Sequence, residues 1–307
     1  MRDAPHPFTL RQLQYVVAVA EELNFRRAAE RCHVSQPSLS AQLAQVEELL
    51  GVVLFERDRR RVLPTAAGEE LVARARVLLR QADDLVLAAQ VARNPLEGLL
   101  RIGIIPTVAP YLLPQVAPHL RKRFPRLSVA WVEEKTPELN QLLERGDLEA
   151  AIVALESPLG EVEHAVIGHD PFVLAAPKEH PLSRKRAPLQ RTELADVEVL
   201  VLEDGHCFGA QALAVCAASP AQAHAFRATS LTTLAQMVAG GFGVTLLPEL
   251  AVEVEAQRAD IVIRPLASPV PSRTIALVWR RGSALERALR EVAGALREEA
   301  PLSASKR

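Results

Sequence analysis

Asn24-Phe25-Arg26-Arg27-Ala28-Ala29-Glu30-Arg31-Cys32-His33-Val34-Ser35-Gln36-Pro37-Ser38-Leu39-Ser40-Ala41-Gln42-Leu43 reads as two helices joined by a tight turn. Asn24 can cap the first, which carries Ala28, Ala29 and Cys32 on its apolar side. His33-Val34 make the turn, and Ser35 caps the second helix, whose Leu39, Leu43 and Val46 recur at helical spacing. Pro37 falls in the first turn, where a missing N–H costs little. The second helix would turn Gln36, Ser38, Ser40 and Gln42 outward, and such side chains can hydrogen-bond base edges and phosphates in a major groove. A helical hairpin with a merely polar outer face has the same pattern, so the segments around it must decide.

Upstream, Leu10, Leu13, Val16, Val17 and Ala20 form a helical stripe with Thr9 as its cap. Downstream, Leu54-Phe55-Glu56-Arg57-Asp58-Arg59-Arg60-Arg61-Val62-Leu63-Pro64 places two short apolar runs around a charged tip, as in a two-stranded wing. Arg57, Arg59, Arg60 and Arg61 on that tip could grip phosphate or the minor groove. Thr65 then caps a long helix with Leu71, Ala75, Leu78 and Leu79, running to about Ala92. Asn94-Pro95-Leu96-Glu97-Gly98 breaks it. Residues 1–94 carry 13 Arg and no Lys against 12 acids, so the local arginine cluster matters more than the domain charge.

Beyond residue 98 strand-like and helical runs alternate. Strands are expected at 100–105, 128–132, 150–155, 171–176, 197–202, 226–228, 243–247, 261–264 and 274–279, and helices at 109–123, 137–145, 230–240 and 283–298. Such alternation predicts parallel sheets with helices on both faces, folded as two lobes joined by crossover strands.

Composition narrows the function classes. The chain has 307 residues, 49% hydrophobic and 24% charged, with a net charge of −1, which fits two or three globular domains. No leader-like N-terminus and no apolar run near the roughly 18 residues of a membrane span are visible, so a cytoplasmic location without membrane attachment is expected. Three cysteines do not make a secreted disulfide framework. Two of them, Cys207 and Cys216, bracket a run of good helix formers. If that run is helical, about 13 Å of rise separates its ends, whereas a disulfide needs Cα atoms within about 7 Å. Pairing the two cysteines would require the helix to unwind, as in a switch. Free cysteines are also commonly buried and inert, and the spacing alone leaves both readings open. Cys32 fits packing. The histidines show no metal-ligand spacing, and neither a cofactor nor a metal is expected.

Phe8-Thr9-Leu10-Arg11-Gln12-Leu13, Phe25-Arg26-Arg27-Ala28-Ala29-Glu30, Val34 to Ser40, Leu50-Gly51-Val52-Val53-Leu54-Phe55-Glu56-Arg57 and Thr65-Ala66-Ala67-Gly68 together closely resemble the DNA-binding domain of LysR-type transcriptional regulators. The resemblance implies an α/β protein overall. An all-α winged helix-turn-helix domain (8–65) leads into a dimerising linker helix (66–94). A two-lobed, periplasmic-binding-protein-like effector domain (98–307) follows, with lobe I about 98–170 and 266–300 and lobe II about 171–265. It implies DNA contacts from Arg26, Ser35, Gln36, Pro37, Ser38, Ser40, Gln42, Arg57, Arg59 and Arg60. The partners it implies are double-stranded promoter DNA, a second copy in a homodimer or homotetramer, and RNA polymerase.

Four stretches, Ile105 to Pro114, Leu202 to Cys207, Ala228 to Leu231 and Gly243 to Pro248, resemble the hydrogen-peroxide-sensing OxyR branch of that family. By that resemblance Cys207 is the peroxidatic thiol and Cys216 the resolving one, with Thr107, Thr136 and His206 lining the peroxide pocket and cellular dithiols resetting the disulfide. His206 and a following helix N-terminus would both favour a thiolate. One departure stands out: that branch usually has Arg-Asp where this chain has Gly209-Ala210. Gly209 cannot supply a cation, for which Arg227 is a possible substitute, yet it could ease unwinding. Two other readings compete. A small anionic metabolite between the lobes could gate the regulator, with Ser230 at a helix N-cap among its ligands. A thiol peroxidase or reductase lacks support, since no C-x-x-C occurs and a third of the chain reads as DNA-binding.

Overall fold

The computed structural model describes residues 6–57, 62–91, 96–184, 187–194, 197–203, 207–216 and 223–304. The chain divides into two units, Met1–Gln90 and Val91–Arg307. The first begins with α1 (Leu10–Glu22), opened by a capping box in which the Gln12 N–H donates to Thr9 Oγ1 and the Thr9 N–H to Gln12 Oε1. Asn24 then caps α2 (Phe25–Arg31) by accepting from the Arg26 and Arg27 N–H groups at 2.9 and 3.1 Å. After the turn at His33, Ser35 caps α3 (Gln36–Leu50) by accepting from the Ser38 N–H. These caps satisfy amides that the first turns leave unpaired. Val16, Val19, Ala28, Ala29, Leu39, Leu43 and Val46 pack into one core, and Leu54, Phe55 and Val72 close it. Cys32 ends α2 half-buried against that core, and burial pushes its thiol pKa up.

The wing is the antiparallel pair β1 (Phe55–Arg57) and β2 (Val62–Pro64), with Glu56 opposite Leu63. Glu47 accepts from the Leu54 and Phe55 N–H groups, so α3 fixes where the wing starts. Arg59, Arg60 and Arg61 lie outside the described residues. The long helix α4 (Ala66–Val91) follows, its Gly68 N–H donating to Thr65 Oγ1 at 2.9 Å. Val72 and Ala75 are buried, whereas Val77, Leu78, Leu85 and Val86 are exposed.

In the second unit β3 (Gly98–Ile104), α5 (Ala109–Arg123), β4 (Leu127–Glu133), α6 (Thr136–Arg145) and β5 (Ala150–Ala154) alternate, and β3 pairs in parallel with both β4 and β5. The next strand, β6 (Val162–Pro177), is 16 residues long. Two short 3-10 turns precede β7 (Val199–Leu202), and then come α7 (Cys207–Cys216), β8 (Ala223–Ala228), α8 (Leu231–Ala239), β9 (Thr245–Pro248), α9 (Glu249–Arg258), β10 (Ile261–Pro265), β11 (Ser272–Arg280) and α10 (Glu286–Glu299). The large sheet runs β10-β6-β11-β5-β3-β4, with β9 also on β6, and β7 pairs in parallel with β8.

The expectation of parallel sheets throughout needs correcting. β6 lies antiparallel to β11, β9 and β10, and β11 antiparallel to β5. β6 also starts at Val162, nine residues before the strand expected at Pro171. Its first half is mostly half-exposed, with Glu163, His164 and His169 interrupting the apolar pattern, so no buried-strand signal marks it. Pro171 is not the start of the strand but its change of neighbour: the ladder with β11 ends there and that with β9 begins at Phe172. A residue without an N–H is tolerated at such a switch. α9 was likewise not expected. It ties the two halves together, because buried Glu255 accepts at Oε1 from Tyr111 of α5 at 2.8 Å and Thr232 of α8 at 2.9 Å. Burial, reinforced by Glu255, holds the Tyr111 phenol protonated well above its usual range.

A Cβ on Gly68 would stand 2.1 Å from the Leu54 carbonyl oxygen. Gly68→Ala is therefore expected to destabilise the first unit by about 1–3 kcal/mol of overpacking, more than alanine's helix propensity returns. In the full chain, denaturation followed by helical circular dichroism should show the contribution of the first unit shifted to lower denaturant. The fluorescence transition of Trp131 and Trp279, both in the second unit, should stay in place.

Candidate functional site

Two surfaces concentrate the side chains that sequence reasoning marks out. On α3, Leu39, Leu43 and Val46 point inward, which leaves Ser35, Gln36, Pro37 and Ser38 exposed at its N-terminal end. Ser40 is half-buried and lies 3.4 Å from Gln36 Nε2. Gln42 is also half-buried and accepts from Gln12 Nε2 at 3.0 Å, so it is engaged with α1. Arg26 is exposed and pairs with Glu30. Arg57 ends β1.

The other surface surrounds α7. Its backbone is helical from Cys207 to Cys216, so about 13 Å of rise lies between the two cysteines. This is the arrangement in which they cannot bond without unwinding. Phe208, Ala212 and Val215 are buried at helical spacing, and this stripe docks α7. His206 lies outside the described residues, as does the side chain of Arg227, named above as the substitute cation.

A different cation is present. Arg273 of β11 is fully buried and its guanidinium lies over the Phe208 ring, 5.4 Å from the centroid. Phe172 of β6 meets the same ring edge-on at 5.2 Å. Arg273 Nε and Nη2 donate to Asp170 Oδ2 at 3.0 and 2.9 Å, Nη1 donates to Thr107 Oγ1 at 2.7 Å, and Nη2 also donates to the Thr107 carbonyl at 3.0 Å. Asp170 Oδ1 accepts from the Leu250 N–H at the start of α9. Thr107 is thus brought to the residue next to Cys207 through Arg273. Thr136 opens α6, buried, and its hydroxyl has no hydrogen-bond partner among the described residues. Beside it, Lys135 forms an ion pair with Glu203, the residue after β7. Ser230 spends its hydroxyl on capping α8, accepting from the Thr233 N–H at 3.2 Å.

Residues 10–69 match the family described as bacterial regulatory helix-turn-helix protein, lysR family, and residues 93–301 match the LysR substrate binding domain. The chain belongs to the LysR family. Among LysR-family relatives, it is 44% identical over 291 residues to a hydrogen peroxide-inducible genes activator of Pectobacterium carotovorum subsp. carotovorum, covering 94% of this chain and 96% of the relative. A full-length OxyR variant from Pseudomonas aeruginosa superposes with a TM-score of 0.76 at 38% identity, over 96% of this chain and 99% of that one. A hydrogen-peroxide-bound OxyR mutant from Corynebacterium glutamicum gives 0.66 at 34%, over 96% and 92%. Within the LysR family the chain falls in the OxyR branch.

Arg273, Asp170 and Phe208 were not foreseen. Arg273 stands two residues before the apolar run Ile275 to Trp279, and that position alone does not distinguish it from a surface charge. Removing Asp170 would strand a buried guanidinium, and Asp170→Ala is expected to cost the second unit about 3–5 kcal/mol in denaturant titrations read by tryptophan fluorescence. The double variant Asp170→Leu/Arg273→Met should cost markedly less than the two single changes summed.

Proposed function

We propose that this LysR-family regulator senses hydrogen peroxide through a reversible Cys207–Cys216 disulfide and reports it by altered promoter binding. The observation that carries the reading is that α7 begins at one of these cysteines and ends at the other, so bonding them cannot leave the helix intact. The likeness to a relative named hydrogen peroxide-inducible genes activator supports the same reading.

Chemically, Cys207 is the first residue of a ten-residue helix, a place where unpaired N–H groups favour a thiolate in general, and His206 is its chain neighbour. The thiolate attacks one peroxide oxygen, the O–O bond breaks, and the departing hydroxide takes a proton to become water. Cys207 is now a sulfenic acid. The Cys216 thiol then attacks the Cys207 sulfur, expelling a second water and forming the disulfide. Two thiols and one hydrogen peroxide have become one disulfide and two waters. A cellular dithiol reverses this by exchange. Thr107 and Thr136 would hold peroxide through their hydroxyls.

At the output end, the exposed start of α3 would read promoter DNA while the arginine-rich connection between β1 and β2 grips the backbone. Leu78 and Leu85 of α4, exposed and seven residues apart, suit pairing with a second copy. A homodimer or homotetramer acting with RNA polymerase in the cytoplasm completes the proposal. None of the described helices is long and apolar enough to cross a membrane.

Mass spectrometry after stoichiometric peroxide, with footprinting of the same samples, tests the sensor. The wild type should form Cys207–Cys216 and change its footprint, Cys216→Ser should stop at the sulfenic acid, and Cys207→Ser should do neither. A peroxide response surviving in Cys207→Ser would sink the reading. For the DNA face, Gln36→Ala should lower discrimination between operator and random sequence by about 1–3 kcal/mol. Arg59→Ala should instead weaken binding to both and flatten its salt dependence.

A further inference from the structure

The first turn of α7 carries a close contact that its sequence does not advertise. A Cβ built on Gly209 would stand 2.8 Å from the Leu202 carbonyl oxygen and 3.6 Å from its carbon. The obstruction is backbone, not the far end of a side chain. Neither partner is placed to yield. Leu202 is held in register with Ala228 of β8, and two residues earlier the Leu200 N–H donates to the Val244 carbonyl while its own carbonyl accepts from Thr245 Oγ1. On the helix side, the neighbouring Phe208 is wedged between the Phe172 ring and the Arg273 guanidinium. The helix and the strand end therefore approach to a separation that only a residue without a side chain permits.

We infer that Gly209 is a positioning residue that lets the dithiol form of this chain dock α7 on β7, and so sets the point at which the Cys207–Cys216 switch turns over. This rests on the disulfide proposed above. Two opposed effects act at the position. Glycine loosens a helix, which on its own favours the unwound, disulfide-bonded state by about two- to fivefold over alanine. It also permits the docking, which exists only while the helix does. Overpacking against an unyielding backbone shifts equilibria by more, about 5- to 150-fold, so docking dominates. Gly209 stabilises the reduced form even though it is a poor helix former.

The test is a redox titration of the full chain in dithiol buffers, scored by mass spectrometry, for the wild type, Gly209→Ala and Ala214→Gly. Ala214 is exposed on the same helix, so its change reports helix propensity alone and should move the equilibrium toward the disulfide by about two- to fivefold. Gly209→Ala should move it in the same direction by about tenfold, a reduction potential about 30 mV lower. If propensity ruled, Gly209→Ala would move it the opposite way, and that result or no shift overturns the inference while leaving the sensor reading intact. A wild type that forms no Cys207–Cys216 disulfide overturns both. Should Gly209→Ala fail to fold, hydrogen exchange on the reduced wild type decides. The amides of Ala212 to Val215 should be strongly protected, and rapid exchange there would show that α7 is not docked.

Discussion

A buried arginine organises the regulatory unit. Taking Arg273 and Asp170 out of water carries a desolvation cost that a lone ion pair does not recover, so the pair persists because its remaining valences are filled. Thr107 supplies a hydroxyl and a carbonyl to the guanidinium, and the α9 N-terminus supplies an N–H to the carboxylate. Four chain segments are tied at one point: β6, β11, the turn leading into α5, and the start of α9. Asp170 sits one residue before Pro171, where β6 exchanges β11 for β9. The charge pair therefore lies at the seam between the two halves of the sheet, where backbone pairing changes hands and apolar packing alone would least define the geometry.

The cysteine-bearing helix inherits its position from this network. Phe208 rests on the guanidinium and against Phe172, so the residue following Cys207 is seated on the same charge pair that holds the sheet halves in register. That arrangement makes the chemistry and the fold share a foundation. A rearrangement of α7 must lift Phe208 from a cation whose other contacts remain in place. The regulatory unit can then change locally without losing its seam, as a reversible switch requires.

Local features of the fold were legible in the sequence because they depend on neighbours in the chain. The caps at Thr9, Asn24 and Ser35, the apolar spacing of Leu39, Leu43 and Val46, and the breaks around the wing are each decided within a few residues. Features that depend on distant partners were not. The early half of β6 is a strand only because β11 lies beside it, and nothing in its mixed pattern says so. Arg273 and Asp170 are 103 residues apart, and each alone looks like a surface charge. Gln42 looked like part of a reading surface, yet Gln12 from another helix claims it. Gly209 read both as a missing cation and as an aid to unwinding; only the Leu202 carbonyl opposite it reveals a reason for a missing side chain.

The DNA-binding unit has few joints. Glu21 at the end of α1 receives both Arg31 of α2 and Arg76 of α4, and Gly68 seats α4 directly on the Leu54 backbone. Reader helix, wing and the base of α4 are thereby welded into one body. α4 has 26 residues, a rod about 39 Å long. A rotation of about 10° at its far end displaces the other end by about 7 Å, the rise of two base pairs. Leverage of this kind converts a small angular change into a change of phase along the duplex, with no need for the reading surface itself to deform.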